Sequence, residues 1–115
     1  MTERIIKLSI EAHKTLGPGF MESVYENALI YKMKKEGLKF EEQKIITIPY
    51  KETIICEHRL DVVVEDKIIV ELKAVKNFED IHMAQIISYM KASGKRVGLL
   101  LNFGKKRLEI KRVVL

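Results

Sequence analysis

The chain has 115 residues, of which 47% are hydrophobic and 32% are charged. This length and composition predict one globular domain over residues 1–115, with no room for a second. A single cysteine excludes a disulfide framework and a Cys-based zinc site. No segment approaches the roughly 18 apolar residues of a membrane span, and the opening residues lack the apolar core of a signal peptide. We therefore expect a cytoplasmic protein without membrane contact.

Basic charge is concentrated at the C-terminal end. The formal net charge is +5, yet residues 91–115 alone contain eight Lys or Arg residues and one acidic residue. The preceding residues are therefore slightly acidic as a group. A basic patch of this kind suits a polyanion such as nucleic acid. A solvated surface with no partner is the competing interpretation.

Two helices are predicted at the start of the chain. Apolar residues recur at helical spacing over residues 2–16, and the Gly-Pro-Gly sequence at 17–19 then breaks the chain. A second helix is predicted from about residue 20 to residue 36, and Gly37 stands where a C-terminal glycine cap belongs.

Strands follow, interrupted by one more helix. The predicted strands cover residues 44–50, 53–64, 68–75, 97–103 and 107–114, and the third helix covers residues 78–93. Pro49 indicates that the first strand lies at a sheet edge, and Asn77 is the predicted helix N-cap. Alternation in the second strand places Cys56 and Leu60 on the same face as Val62, so a buried Cys56 is expected. The order αα-βββ-α-β-β predicts an α/β fold with a mixed sheet.

Three charged residues interrupt the apolar second and third strands. They are Asp61, Glu71 and Lys73. Glu71 and Lys73 are two residues apart in one strand and share a face. If residues 65–67 form the hairpin turn, Asp61 lies directly opposite Glu71, with Cβ atoms about 5 Å apart.

Two facing carboxylates repel each other unless a cation lies between them. Hard oxygen ligands on a rigid sheet suit Mg²⁺ or Mn²⁺, and Lys73 would stand beside such an ion, able to hold a water molecule and to neutralise charge on a phosphate. An ordinary surface ion pair of Lys73 with Asp61 or Glu71 is the competing interpretation.

Asp61 together with Glu71-Leu72-Lys73 resembles the bipartite D…(E)xK signature of the PD-(D/E)XK nuclease superfamily. Gly19, Glu22 and Tyr25 resemble the motif that defines the GxxExxY proteins of this superfamily. The similarity extends to residues 13–18, 84–89 and 99–104, and so covers nearly the whole chain. It implies a restriction-endonuclease-like core, with a mixed β-sheet flanked by helices in the order αα-βββ-α-β-β.

The resemblance also implies an activity, the metal-dependent hydrolysis of phosphodiester bonds in DNA, more than in RNA, with Mg²⁺ or Mn²⁺ as cofactor. The implied catalytic residues are Asp61, Glu71, Lys73, Gln85 and Tyr89, and the implied metal-binding groups are Asp61, Glu71, the Leu72 carbonyl and Glu22. Glu26 lies one helical turn after Glu22 and shares its helix face. The isolated His13 and His82 could approach the site, but an isolated histidine is more often structural.

Nucleic-acid contact is expected at three cations after the fourth strand, Lys105, Lys106 and Arg107. Contacts to phosphates provide affinity without sequence information, and no base-reading motif is present. Two other functions fit the same fold. One is a nucleic-acid-binding module without catalysis, and the other is a protein-interaction domain that forms a homodimer.

Overall fold

The computed structural model describes all 115 residues and contains three helices and five strands. The elements are α1 (Thr2–Leu16), α2 (Glu22–Lys35), β1 (Phe40–Tyr50), β2 (Thr53–Val64), β3 (Ile68–Lys73), α3 (Asp80–Ser93), β4 (Val97–Asn102) and β5 (Glu109–Val114). This order confirms the α/β fold class predicted from the sequence. No helix is both long enough and apolar enough to cross a membrane.

The five strands form one mixed sheet in the order β1-β2-β3-β4-β5. The β1–β2, β2–β3 and β4–β5 pairs are antiparallel, whereas β3 and β4 are parallel. A parallel pair needs a long connection, and α3 supplies it. The strand that contains Pro49 lies at a sheet edge, as its sequence predicts.

Helices cover both faces of the sheet. One apolar cluster packs α1 and α2 against the sheet and includes Ile5, Leu29, Val70, Leu72 and Phe103. A second cluster packs α3 against the other face and includes Ile69, Ile86, Met90 and Leu100. Because β3 contributes alternate residues to the two clusters, Glu71 and Lys73 are directed to the α3 face.

The side-chain alternation of β2 changes next to Asp61. Leu60 and Val63 both pack with α3 although they are three residues apart, whereas Val62 packs with α1 and α2. The prediction that Leu60 shares a face with Val62 is therefore wrong. An irregularity in β1 lies opposite this position, where Gln43 has φ 50 and the β1–β2 ladder omits the pair of Gln43 with Asp61.

The β1–β2 hairpin extends beyond the rest of the sheet. β2 pairs with β3 only through residues Val62–Val64, so the earlier residues of β2 form no ladder pair on that side. Cys56 lies in this extension and is exposed, contrary to the prediction that it is buried. Alternation alone could not reveal this, because burial depends on what covers the strand.

The start of α3 is fixed by its own residues. Glu79 rather than Asn77 is the N-cap, and its side chain forms a capping box with His82. The Glu79 backbone N–H donates to Nδ1 of His82 at 2.9 Å. Of the two roles considered for His82 from the sequence, this contact supports the structural one.

Candidate active site

Asp61 and Glu71 face each other where β2 and β3 separate. The β2–β3 ladder runs from the pair of Val64 with Ile68 to the pair of Val62 with Val70, and Asp61 and Glu71 are next in register. Side chains replace the backbone ladder at this point. The Asp61 N–H donates to Oε1 of Glu71 at 3.3 Å, and the Leu72 N–H donates to Oδ2 of Asp61 at 2.9 Å. Both carboxylates are thereby held at the end of the ladder.

Glu71 is buried, with 5% of its surface exposed. Burial and then the adjacent Asp61 raise the pKa of Glu71 to about 8, and the nearby Lys73 opposes this only in part. The pair therefore favours one proton, or a cation, over two free negative charges at neutral pH.

The α3 side of the pair is lined by Tyr89. Burial and the charges of Glu71 and Asp61 raise the pKa of its hydroxyl. The Tyr89 ring stacks on His58 of β2, with ring centroids 3.9 Å apart and planes 18° apart. Gln85 lies one turn earlier on α3 and is half-buried. His58 was missed by the sequence analysis because the alternation of β2 did not indicate that it faces α3.

On α2, Glu26 is the residue whose pKa responds to Asp61. Burial, together with the charges of Asp61 and Glu42, raises the pKa of Glu26, although a hydrogen bond from Gln43 opposes this. Nε2 of Gln43 lies 3.3 and 3.2 Å from the two Glu26 carboxylate oxygens. Glu22, in the first turn of α2, is exposed. The electrostatic neighbour of Asp61 on this helix is therefore Glu26, and the shared helix face was the signal for it.

The oxygen atoms at this site suit a hard divalent cation. Mg²⁺ commonly takes only one or two protein carboxylates, and a cation would remove the repulsion that raises the pKa of Glu71. The structure contains no group of three or more His, Cys, Asp or Glu residues arranged to hold an ion together. The groups that the protein could offer to a cation here are thus the Asp61 and Glu71 carboxylates and the adjacent Leu72 backbone.

Tyr25 supports the loop between α1 and α2. Its hydroxyl donates to the Gly17 carbonyl at 2.6 Å and accepts from the Phe20 N–H at 3.1 Å. Its ring stacks on Phe103, with centroids 4.6 Å apart and planes 17° apart. The tyrosine of the predicted motif therefore has a structural role, which is to attach this loop to the end of β4.

The β4–β5 loop carries the three predicted nucleic-acid contacts, Lys105, Lys106 and Arg107. The buried His13 of α1 holds this loop, since its Nε2 lies 3.2 Å from the Phe103 carbonyl and 2.8 Å from the Lys105 carbonyl. Both partners are acceptors, so Nε2 carries the proton. Nζ of Lys105 lies 3.7 Å from Oε1 of Glu109, whereas Lys106 and Arg107 are exposed and make no ion pair.

Comparison with known proteins identifies the family. A family model described as the PD-(D/E)XK nuclease superfamily matches residues 1–113. The solved structure of SSO0001 is similar, with a TM-score of 0.63 and 15% identity over 80% of this chain and 48% of that one. The structure of an alkaline exonuclease, LHK-Exo from Laribacter hongkongensis, is also similar, with a TM-score of 0.51 and 13% identity. The match covers 80% of this chain and 55% of that one.

The chain thus spans about half the length of each of these two structures. Their low identity shows a common fold and nothing finer. No curated protein sequence gives a significant match. Because the family model covers almost every residue, the chain belongs to the PD-(D/E)XK nuclease superfamily.

Proposed function

We propose that this protein is a metal-dependent nuclease that hydrolyses phosphodiester bonds of DNA, and that it is a single-domain member of the GxxExxY group. The observation that carries the proposal is the facing pair of Asp61 and Glu71 at the end of the β2–β3 ladder. Lys73 follows on the same face of β3 and affects the charge state of Glu71. Two carboxylates placed this close together lower the stability of the fold, and such pairs are typical of functional sites.

The proposed cofactor is Mg²⁺ or Mn²⁺, held by the Asp61 and Glu71 carboxylates and the Leu72 carbonyl. When bound, such an ion supplies Lewis acidity and makes a water nucleophile available at neutral pH. We propose Glu26 as the α2 carboxylate that acts on the site through its charge, because its pKa responds to Asp61 while no third ligating side chain converges with the pair. Glu22, the motif residue predicted from the sequence, is the alternative.

The remaining steps are assigned to the side chains around this pair. The Lys73 ammonium would orient the attacking water and stabilise the negative charge that develops on the phosphate. Tyr89 and Gln85 would position the substrate from the α3 side. Lys105, Lys106 and Arg107 are proposed to contact phosphates elsewhere along the nucleic acid.

The test is cleavage of end-labelled DNA by the purified chain in Mn²⁺, with EDTA as the metal-free reference. We expect Lys73→Ala to lose cleavage by about 100-fold or more, the scale of losing one group that stabilises transition-state charge. Lys91→Ala removes an equally charged, exposed lysine from the last turn of α3 and should cleave like the wild type. Equal cleavage by Lys73→Ala and wild type would contradict the proposal.

A nucleic-acid-binding module without catalysis is the second candidate. The observation in its favour is that no three acidic or other ligating side chains converge in the structure. Salt-dependent DNA binding without Mn²⁺-dependent cleavage would support it. The preference for DNA over RNA, the cytoplasmic location and the formation of a homodimer stay predictions from the sequence.

A further inference from the structure

A basic cavity of about 570 Å³ lies between the C-terminal end of α1 and the β4–β5 loop. Its charged lining residues are Lys14, Lys106 and Arg107, and no carboxylate lines it. Neither Asp61 nor Glu71 is part of its wall. The cavity is therefore separate from the candidate active site, and its charge is suited to an anion.

The acidic residues nearest to this cavity in sequence are already paired. Glu11 of α1 lies 3.4 Å from Nζ of Lys32, and Glu109 of β5 lies 3.7 Å from Nζ of Lys105. Lys14, Lys106 and Arg107 have no such partner, and all three are exposed. An anion that entered the cavity would therefore meet cations whose charge no carboxylate offsets.

His13 adds a buried polar group to the cavity wall. The residue is 4% exposed, and its Nε2–H is used by the carbonyls of Phe103 and Lys105. His13 therefore fixes the β4–β5 loop that forms part of the cavity wall.

The cavity is attached to the strand that carries the candidate catalytic lysine. The Phe103 N–H, at the start of the β4–β5 loop, donates to the Lys73 carbonyl at 2.7 Å. His13 binds the carbonyl of the same Phe103. The cavity wall and the strand that carries Lys73 are thus joined through Phe103.

We propose that the cavity binds one phosphate group of the nucleic-acid strand that the active site cleaves. A phosphate offers up to two negative charges and three strong acceptor oxygens, which match the three cations that line the cavity. The cavity binds this phosphate and takes no part in breaking the bond. The inference rests on the proposed nuclease function and adds a phosphate subsite to it.

The test is a titration of the isotope-labelled, metal-free chain with inorganic phosphate, followed by the NMR signals of its backbone amides. We expect saturable shifts centred on His13, Lys14, Lys106 and Arg107. The triple variant Lys14→Ala/Lys106→Ala/Arg107→Ala should bind phosphate about tenfold more weakly or worse, as expected for three ion pairs lost together.

The matched control is Lys34→Ala/Lys91→Ala/Lys111→Ala, which removes three exposed positive charges outside the cavity. Its phosphate affinity should stay within about twofold of wild type, because distant exposed charges are screened by salt. The spectra report at the same time whether each variant is folded. Equal losses in the two variants, shifts centred elsewhere, or no saturable binding would overturn the proposal.

Oligonucleotides with a 5′-phosphate, a 3′-phosphate or neither identify which phosphate is bound. A preference for one end that disappears in the cavity variant assigns the site to a terminal phosphate, whereas an equal loss for all three assigns it to an internal one. Both results support the subsite, and unchanged affinity overturns it. Phosphate binding without Mn²⁺-dependent cleavage would reject only the nuclease function.

Discussion

The surroundings of Glu71 disfavour the ionised form of its carboxyl group. Burial and Asp61 raise its pKa from 4.5 to about 8 in the folded chain. Between these values the folded state keeps a proton that the unfolded state has released. The stability linked to this proton is thus fully present below pH 4.5 and is lost as pH rises towards 8.

Glu71→Gln should remove this pH dependence. Glutamine has no proton to lose, so the variant should gain stability relative to wild type as pH rises from 5 to 8, by about 3.5 kcal/mol in total. Urea denaturation in EDTA measures both proteins across this range. A constant difference between them at every pH would mean that Glu71 ionises normally in the folded chain.

Asp61→Asn tests the metal site at the other carboxylate. The amide keeps the shape of the side chain but removes the negative charge, so heats of Mn²⁺ and Mg²⁺ binding should fall to baseline. In the wild type, Mn²⁺ should bind more tightly than Mg²⁺, because Mg²⁺ gives up its hydration water more reluctantly and demands stricter geometry. Titration calorimetry measures both. Equal heats from variant and wild type would place any bound ion elsewhere.

The sequence alone indicated the facing pair but not its neighbours. A hairpin turn at 65–67 fixes the register of β2 against β3, so the position of Asp61 opposite Glu71 follows from counting residues. The approach of Glu26 depends on the rotation of α2 against the sheet. That of His58 depends on an irregular β-strand. A local pattern shows that Glu22 and Glu26 share a helix face, but not which of them is the electrostatic neighbour of Asp61, and it gives no sign of His58.

At the scale of elements, the ends of β3 and β4 are joined by a close backbone contact. Oδ1 of the fully buried Asn102 accepts from the Val75 N–H at 3.0 Å and from the Gly104 N–H at 2.9 Å. A Cβ atom at Gly104 would lie 2.6 Å from the Val75 backbone nitrogen and oxygen. This junction fixes where the chain leaves the strand that carries Lys73.

Gly104→Ala should therefore destabilise the chain by about 2 to 3 kcal/mol, since backbone atoms cannot move aside without disturbing the junction. Gly98→Ala in β4 is the matched control. Its Cβ would come 2.8 Å from Sδ of Met90 and 3.0 Å from Cδ1 of Ile86, the far ends of flexible side chains. Because these side chains can move aside, Gly98→Ala should destabilise the chain by only about 1 kcal/mol. Urea denaturation ranks the two, and equal costs would contradict the junction's importance.

Element order was predictable because hydrophobic periodicity and glycine positions are local signals. The first helix and second strand have the predicted bounds, residues 2–16 and 53–64. The first strand begins earlier than predicted, at Phe40, because its charged first residues gave no apolar pattern. The N-cap of α3 is Glu79 rather than Asn77. The sequence did not indicate this, because the usual capping box pairs Ser or Thr with Glu or Gln, whereas here Glu79 pairs with His82.

In the whole molecule, the residues predicted to catalyse cleavage and the residues predicted to bind DNA lie on different elements. Asp61, Glu71 and Lys73 occupy β2 and β3, whereas Lys106 and Arg107 occupy the β4–β5 loop. Lys73→Ala should leave DNA affinity within a few-fold of wild type, because one phosphate contact among several contributes little to binding. A filter-binding assay in EDTA measures this separately from cleavage. A large loss of affinity would show that Lys73 is a principal DNA contact.

Lys106→Ala/Arg107→Ala should instead change the salt dependence of binding. Two lost phosphate contacts should flatten the slope of log affinity against log salt by about 1.8 units, at roughly 0.9 per duplex phosphate neutralised. Adding Lys105→Ala should flatten the slope further, but by less than the roughly 0.9 units of a full phosphate contact, because Glu109 already lies 3.7 Å from that lysine. Lys34→Ala/Lys111→Ala, with the same change in net charge, should keep the wild-type slope. If both double variants keep that slope, the β4–β5 loop is a solvated surface, and the excess positive charge of residues 91–115 serves something other than phosphate binding.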